Sequence, residues 1–391
     1  DCLRRRRDRD GQPGGSGVAL ARPLSLAVAA GAASVLPGFL VGALALQIQG
    51  DIGGRVEQVA AGVSVFFLAG ALGASSGGRL ADRFGAHRAL RACLLTTAAC
   101  LLGAAALAES VLGLMAFLAV AGLANAVGQP ATNLFVSREI PDERQGLGFG
   151  IKQSGIPAAI LVSGLALPLL ALPLGWRATF AICALGPIGV ALSLRRTPSA
   201  RMARRAGRPS RALVLTAVGA ALATAAPNSM GAYLVASAVD AGVEEAAAGI
   251  LAAVGSALSL ALRVSVGARA DRRREYGLEP VVVMLVGGSI GFALLSTGSV
   301  APFVAGALIA FALGWGWPGL LNMSVVVRNR ETPGAASGIS QTGVYVGASL
   351  GPAAFGAIYS EAGYDAAWLA ATGCSLVAAL VMWSAVRSSR V

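Results

Sequence analysis

Charge is what this 391-residue sequence has little of: 13% of it is Asp, Glu, Lys or Arg, about half the share of an ordinary soluble domain. That shortage excludes the two or three soluble domains that length alone would suggest. Histidine occurs once, as His87, and no Cys or His spacing matches a zinc site. An intramembrane metalloenzyme is therefore excluded, and neither a metal nor a cofactor is expected. The five cysteines (Cys2, Cys93, Cys100, Cys183, Cys374) form no Cys-x-x-Cys pair. Cys93 and Cys100 share one helical face and read as small apolar packing. The apolar stretches also lack acids, since all 19 fall in tails, loops or helix ends. Lysine is reduced to a single residue, Lys152, among 31 basic ones.

What is abundant is apolar: 55% of the residues, with a mean hydropathy of +0.70. The net charge of +12 would suggest a nucleic-acid partner in a soluble protein. Here the basic residues sit in short clusters between long uncharged runs, without aromatics for base stacking, so the partner is the lipid bilayer and not nucleic acid. Eleven stretches are free of Asp, Glu, Lys and Arg, from Pro23–Gly50 to Ala366–Val386. Ten have the length of one spanning helix, about 20 residues. The eleventh, Pro280–Val327, must be two, broken near Thr297–Pro302, where turn formers cluster. The total is twelve spans.

With the N-terminus inside, 27 of the 31 basic residues fall on cytoplasmic segments, as positive residues prefer. Both termini are then cytoplasmic and the membrane is the cell (inner) membrane. Trp176, Tyr364 and Trp368 fall at outer boundaries, where interfacial aromatics are expected. The run Arg4–Arg7 precedes an apolar stretch longer than the core of a signal peptide, so that stretch reads as a first spanning helix. Residues 1–22 read as a basic disordered cytoplasmic tail.

The sequence repeats itself. Gly78-Arg79-Leu80-Ala81-Asp82-Arg83 returns as Gly267-Ala268-Arg269-Ala270-Asp271-Arg272, and Gly128-Gln129-Pro130 returns as Gly316-Trp317-Pro318. Asn133 returns as Asn322, and Gly150-Ile151-Lys152-Gln153-Ser154-Gly155 as Gly338-Ile339-Ser340-Gln341-Thr342-Gly343. The offset stays at 188–189 residues through these segments. Self-similarity of this kind marks a duplicated unit. The expected layout is a six-helix bundle over 23–194, a basic cytoplasmic linker over 195–211, and a second six-helix bundle over 212–387.

Two parallel six-helix halves with Gly-x-x-x-Asp-Arg-x-Gly at Gly78, Asp82, Arg83 and Gly85, and a degenerate second copy at Gly267–Arg272, resemble the major facilitator superfamily of secondary transporters. The resemblance runs from about residue 23 onward. It implies an all-α membrane protein that works by alternating access, with a small-molecule substrate, a coupling proton or ion, and a monomer as the working unit. It also implies a cytoplasmic gate at Gly78, Asp82, Arg83, Gly267, Asp271 and Arg272, with Asp82 facing the positive N-terminal end of helix 11.

For the substrate site the leading residue is Lys152, several residues inside helix 5, because an ionisable group in a span is functional by default. Gln153 adjoins it, and Gln341 occupies the mirrored place on helix 11, so symmetry sets Lys152 opposite Gln341. Arg263, four residues before Gly267 and eight before Asp271, shares their helical face; structural pairing and substrate contact are equally open to it. Asn125, Gln129 and Asn133 on helix 4, Asn228 on helix 7, Trp315 on helix 10 and Tyr345 on helix 11 complete the polar set. Two cations without a buried acid favour an anionic or neutral polar solute. The alternative is proton-coupled efflux of a drug or metabolite, against which stand the missing buried carboxylate, an uncharged helix 4 and Gly155-Ile156-Pro157 where multidrug antiporters carry Gly-Pro.

Overall fold

In the computed structural model the described residues, 16–194, 208–274 and 276–388, are helical almost throughout. Most of the expected basic tail and of the linker, residues 1–15 and 195–207, lies outside them. Uncharged runs fold this way because lipid offers no partner for backbone N–H and C=O, and a helix pairs them internally. The first half comprises α1 (Ser16–Ala43, continued by Ala45–Ile52), α2 (Val56–Phe84), α3 (Ala86–Leu107) and α4 (Val111–Glu139), then α5 (residues 145–174) and α6 (residues 176–193). The second comprises α7 (Arg211–Asp240), α8 (Glu245–Arg273), α9 (Glu279–Leu295), α10 (Val300–Arg328), α11 (residues 333–362) and α12 (residues 364–388).

Nine helices among the described residues are long and apolar enough to cross a membrane, and the 17-residue α9 is a shorter apolar one. Two of the nine are double length. Each is divided by a glycine with positive φ, Gly175 (φ 81°, ψ 163°) and Gly363 (φ 80°, ψ 177°). Counting these as pairs and adding α9 gives twelve. The two glycines stand 188 residues apart, so the break is part of the repeat. A Cβ at either would meet nothing within 4 Å; glycine is needed there for the backbone angle and not for space. The break expected near Thr297–Pro302 falls between Leu295 and Val300.

The cores are distributed unevenly along the spans. At the end carrying the repeated Asp-Arg motif, one cluster joins residues of both halves, among them Leu134, Phe149, Ala270, Leu321, Met323 and Ala336. At the opposite end each half keeps its own cluster. Leu40, Phe66, Trp176 and Phe180 belong to the first, and Met230, Phe292, Phe303, Phe355 and Trp368 to the second. Trp176 and Trp368 are thus only 3% and 0% exposed, a correction to their expected place in the lipid interface. The tight turns at Gly175 and Gly363 fold the start of α6 and α12 back into the bundle, carrying each ring inward. Gly343, Gly347 and Gly351 of α11 lie against the carbonyls of Ala217, Ala221 and Ala225 on α7, the small-residue packing that helices use where lipid supplies no hydrophobic force.

Candidate functional site

At the motif end the two halves are fastened twice. The Asp82 carboxylate, at the end of α2, accepts the N–H groups of Gly334 (2.8 Å) and Ala335 (2.7 Å) at the start of α11. The Asp271 carboxylate, at the end of α8, accepts those of Gly146 (2.6 Å) and Leu147 (2.8 Å) at the start of α5. Both exploit the same physics: the first N–H groups of a helix have no partner within it, and its positive end favours an anion. Glycine makes the approach possible. A Cβ on Gly78 would overlap the Gly334 carbonyl, and one on Gly267 would overlap that of Gly146. Arg83 and Arg272, expected beside these acids, are exposed, with Arg83 over the ring of Phe84.

A third fastening was not expected from the motifs. Asp142, between α4 and α5, pairs with Arg330, between α10 and α11, at 3.2 Å, and Tyr276 donates its hydroxyl to the Asp142 carbonyl. Asp142 and Arg330 stand 188 residues apart, so equivalent positions of the two halves carry opposite charges. That offset was the signal that could have found them.

Above this closed end lies a buried polar chain. Lys152, 2% exposed, donates from Nζ to Gln129 Oε1 (2.8 Å) and Gln153 Oε1 (3.3 Å). Gln129 Nε2 donates to Ser34 Oγ on α1 (3.1 Å) and reaches Asn125 Oδ1 at 3.5 Å. Asn125 Nδ2 donates to the hydroxyl of Tyr345 on α11 (2.7 Å). The chain therefore crosses from α5 through α4 to the second half. Lys152 is held by Gln129 and Gln153 of its own half, and the chain reaches the second half at Tyr345, four residues beyond Gln341 on α11. Ser34 was missed, since one serine in an apolar run carries no signal.

Arg263 is buried as well, and its partners are backbone carbonyls: Trp315 (3.1 Å from Nε, 2.7 Å from Nη2) and Gln153 (3.2 Å from Nη1). Gln153 thus receives Lys152 on its side chain and Arg263 on its main chain. Asn228 stands apart, donating to the Thr224 carbonyl of its own helix (2.9 Å). The Trp315 ring stacks on Phe311 and lies near Gly231 of α7. Asn133 is fully buried, with both amide atoms unpartnered among the described residues. Further along α5 a cavity of about 300 Å³ opens between α1, α2 and α5, lined by Phe39, Val63, Ile160 and Ser163 among others.

Twelve apolar helices in two matched bundles, fastened at one end around a buried polar centre, define a membrane transporter. The chain belongs to the Major Facilitator Superfamily, whose family model matches residues 25–302, more than half of its length. Its fold is similar to that of solved structures. One is the proton:xylose symporter XylE, at 15% identity, covering 93% of this chain and 94% of that one with a TM-score of 0.74. Another is the human organic anion transporter MFSD10 (TETRAN), at 16% identity, 95% and 100% coverage and a TM-score of 0.69. A third is the transporter FucP in its outward conformation, at 15%, 94% and 99%, with 0.71. No curated protein sequence matches the chain significantly. The protein is therefore a multi-pass membrane protein of a secondary-transport family and not an enzyme.

Proposed function

We propose that this protein carries a small organic anion across the cell membrane by alternating access, with Lys152 and Arg263 as its charged contacts. The observation that carries the reading is electrostatic: two buried basic side chains share Gln153, and no Asp or Glu lies in the middle of any described span. A charge enclosed at membrane depth needs a partner, and among the described residues these two find only neutral oxygens. A substrate anion is the missing partner. MFSD10, which has the same fold, is an organic anion transporter, so the scaffold accommodates that cargo.

Asp82 and Asp271 act as twin latches on the cytoplasmic gate in this reading. With the N-terminus inside, the fastened end is cytoplasmic, and the separate cores at the other end let the halves part toward the outside. Gln153, Gln341, Asn125 and Tyr345 orient the solute beside Lys152, while Trp315 borders the second half of the site. A missing buried carboxylate tells against efflux of cationic drugs. The test is uptake into proteoliposomes of radiolabelled lactate, benzoate, succinate and glutamate, with xylose and a quaternary ammonium dye as neutral and cationic controls. At least one anion is expected to enter, with Lys152→Ala reducing its uptake tenfold or more at equal protein content. Entry of xylose or the dye alone, or uptake of every anion indifferent to Lys152→Ala, overturns the reading.

A further inference from the structure

The count of hydrogen-bond partners at Lys152 says more than its charge. An ammonium has three N–H donors and no acceptor; a neutral amine has two donors and a lone pair. Lys152 has two acceptors, Gln129 Oε1 and Gln153 Oε1, in an environment that leaves it 2% exposed. These two acceptors match the two N–H groups of a free amine, and among the described residues the protein offers an ammonium neither a third acceptor nor a counter-charge.

The other titratable or charged groups around it do not change that count. Arg263 on α8 faces it through Gln153 and adds a like charge. Asp271, also on α8, is committed to Gly146 and Leu147. Tyr345 on α11 lies at the far end of the Gln129–Asn125 chain, neutral and already bonded. Cys93 on α3 lies behind Gly128. On α1 the near polar group is Ser34, and the helix's charges, Arg22 and Asp51, are exposed near its two ends. On α4 and α10 the charged residues, Arg138, Glu139 and Arg328, stand at the helix ends.

Resting on the anion reading above, we infer that Lys152 is also the proton carrier: the coupling proton and the substrate anion bind together on one amine. From the open side the amine takes one proton and becomes an ammonium; the anion supplies the third acceptor and the counter-charge. On the other side the anion leaves, the ammonium loses its partner, and the same proton departs. The amine carries one proton per anion, so a monoanion moves without net current and a dianion carries one net negative charge. Two states can be enclosed at low cost, the empty amine and the ammonium–anion pair. A proton without an anion leaves a buried unpaired charge, and an anion without the proton finds a group that offers no charge. Strict coupling thus follows from the two-acceptor environment, with no carboxylate in the centre.

The experiment uses the full-length protein in proteoliposomes loaded with pyranine, and the probes are the four anions named above. Counterflow of each anion at equal pH is measured first, then accumulation with the interior made alkaline. For the anion that exchanges, the wild type is expected to accumulate it at least tenfold above the no-gradient level, with one proton entering per monoanion. Lys152→Arg keeps a charge that it cannot release, and its ratio of accumulation to counterflow should fall at least tenfold. Lys152→His restores a releasable proton, and its uptake should respond to the gradient again with the midpoint moved to lower pH. Normal counterflow with no response of the wild type to the gradient, or full gradient-driven accumulation in Lys152→Arg, overturns the proton role and leaves the anion reading standing. Absence of counterflow for all four anions in the wild type removes both.

Discussion

The two halves of the molecule agree at their fastened end and differ at their centre. Asp82 on the start of α11 and Asp271 on the start of α5 are the same contact built twice, each taking two N–H groups at 2.6–2.8 Å. One turn or two deeper the correspondence fails. Lys152 is matched by Ser340 and Gln129 by Trp317, so the first half has a charged chain where the second has a hydroxyl and an indole. A gate on a pseudo-two-fold axis gains from duplication because both copies close the same opening. A solute without a two-fold axis cannot use one side chain twice, and its site is free to diverge.

That contrast can be broken directly, and the proposed latch gives the largest effect. Asp82→Asn and Asp271→Asn each lose the charge and set an NH₂ group against helix N–H donors. Hydrogen bonds to charged groups contribute about 1.5–3 kcal/mol each, so either change should shift the gate's equilibrium toward open by tenfold or more. Transport at unchanged membrane abundance should fall by a comparable factor in both, within about threefold of each other. The check is flux per molecule, alongside cysteine labelling of the helix ends at the fastened side. Wild-type flux in either single variant dissolves the idea of twin latches; a large inequality shows that only one of the two closes the gate.

The frame of this protein was legible because its signals are one-dimensional. Uncharged length marks spans, and a fixed offset marks the duplication, which is why even the dividing glycines Gly175 and Gly363 obey it. The centre was less so. Lys152 and Arg263 stood out as charges in apolar runs, but their partners are neutral groups: the side chains of Gln129 and Gln153 and two backbone carbonyls. Register set Lys152 opposite Gln341 but did not say which side chains meet across the axis; here they are Asn125 and Tyr345. Boundary aromatics misled for a similar reason. Trp176 and Trp368 lie at the ends of spans in sequence, yet turns that sharp return them to the core.

The same two tryptophans sharpen the comparison at the opposite end. Trp176 donates its indole N–H to Asp51 (2.9 Å), which also holds Arg177, while Arg177 reaches the carbonyls of Ala105 and Ala108. Trp368 is buried against Phe355 and Phe292, and its N–H has no acceptor among the described residues. Phenylalanine removes equal ring volume at each site, but it forfeits a bond at 176 and removes an unmatched donor at 368. Trp176→Phe should therefore be more destabilising than Trp368→Phe by about 2 kcal/mol in thermal unfolding. The gap should depend on pH with a definite sign. The indole bond first, then Arg177, hold the Asp51 carboxyl below its ordinary range. A depressed folded value stabilises above the unfolded pKa, and that contribution is lost as pH falls through the folded one. Asp51 is about half exposed, so solvent screening keeps its charge contribution small, and the gap should narrow only in acid. A gap that is absent at neutral pH, or that widens in acid, contradicts the tether.

The smallest effect concerns the turn that ends each motif. In the first half Gly85 closes α2 at φ 80°, ψ 156°, with its N–H on the Ala81 carbonyl. The equivalent residue in the second half is Arg274, which closes α8 in the left-handed region at φ 55°, ψ 33°, the one non-glycine residue with positive φ among those described. A left-handed arginine costs about 1–2 kcal/mol because its Cβ crowds the following carbonyl. Gly85's angles lie in a region essentially closed to other residues. The second copy has thus moved its turn to the nearest conformation that a side chain tolerates. Arg274→Gly should raise stability by about 0.5–1 kcal/mol, less than the full strain because glycine also frees the unfolded chain. Gly85→Ala should lower it by more than 1 kcal/mol. Equal responses at the two positions, measured by thermal unfolding in detergent, contradict this account: the second motif then differs from the first in sequence but not in the backbone it requires.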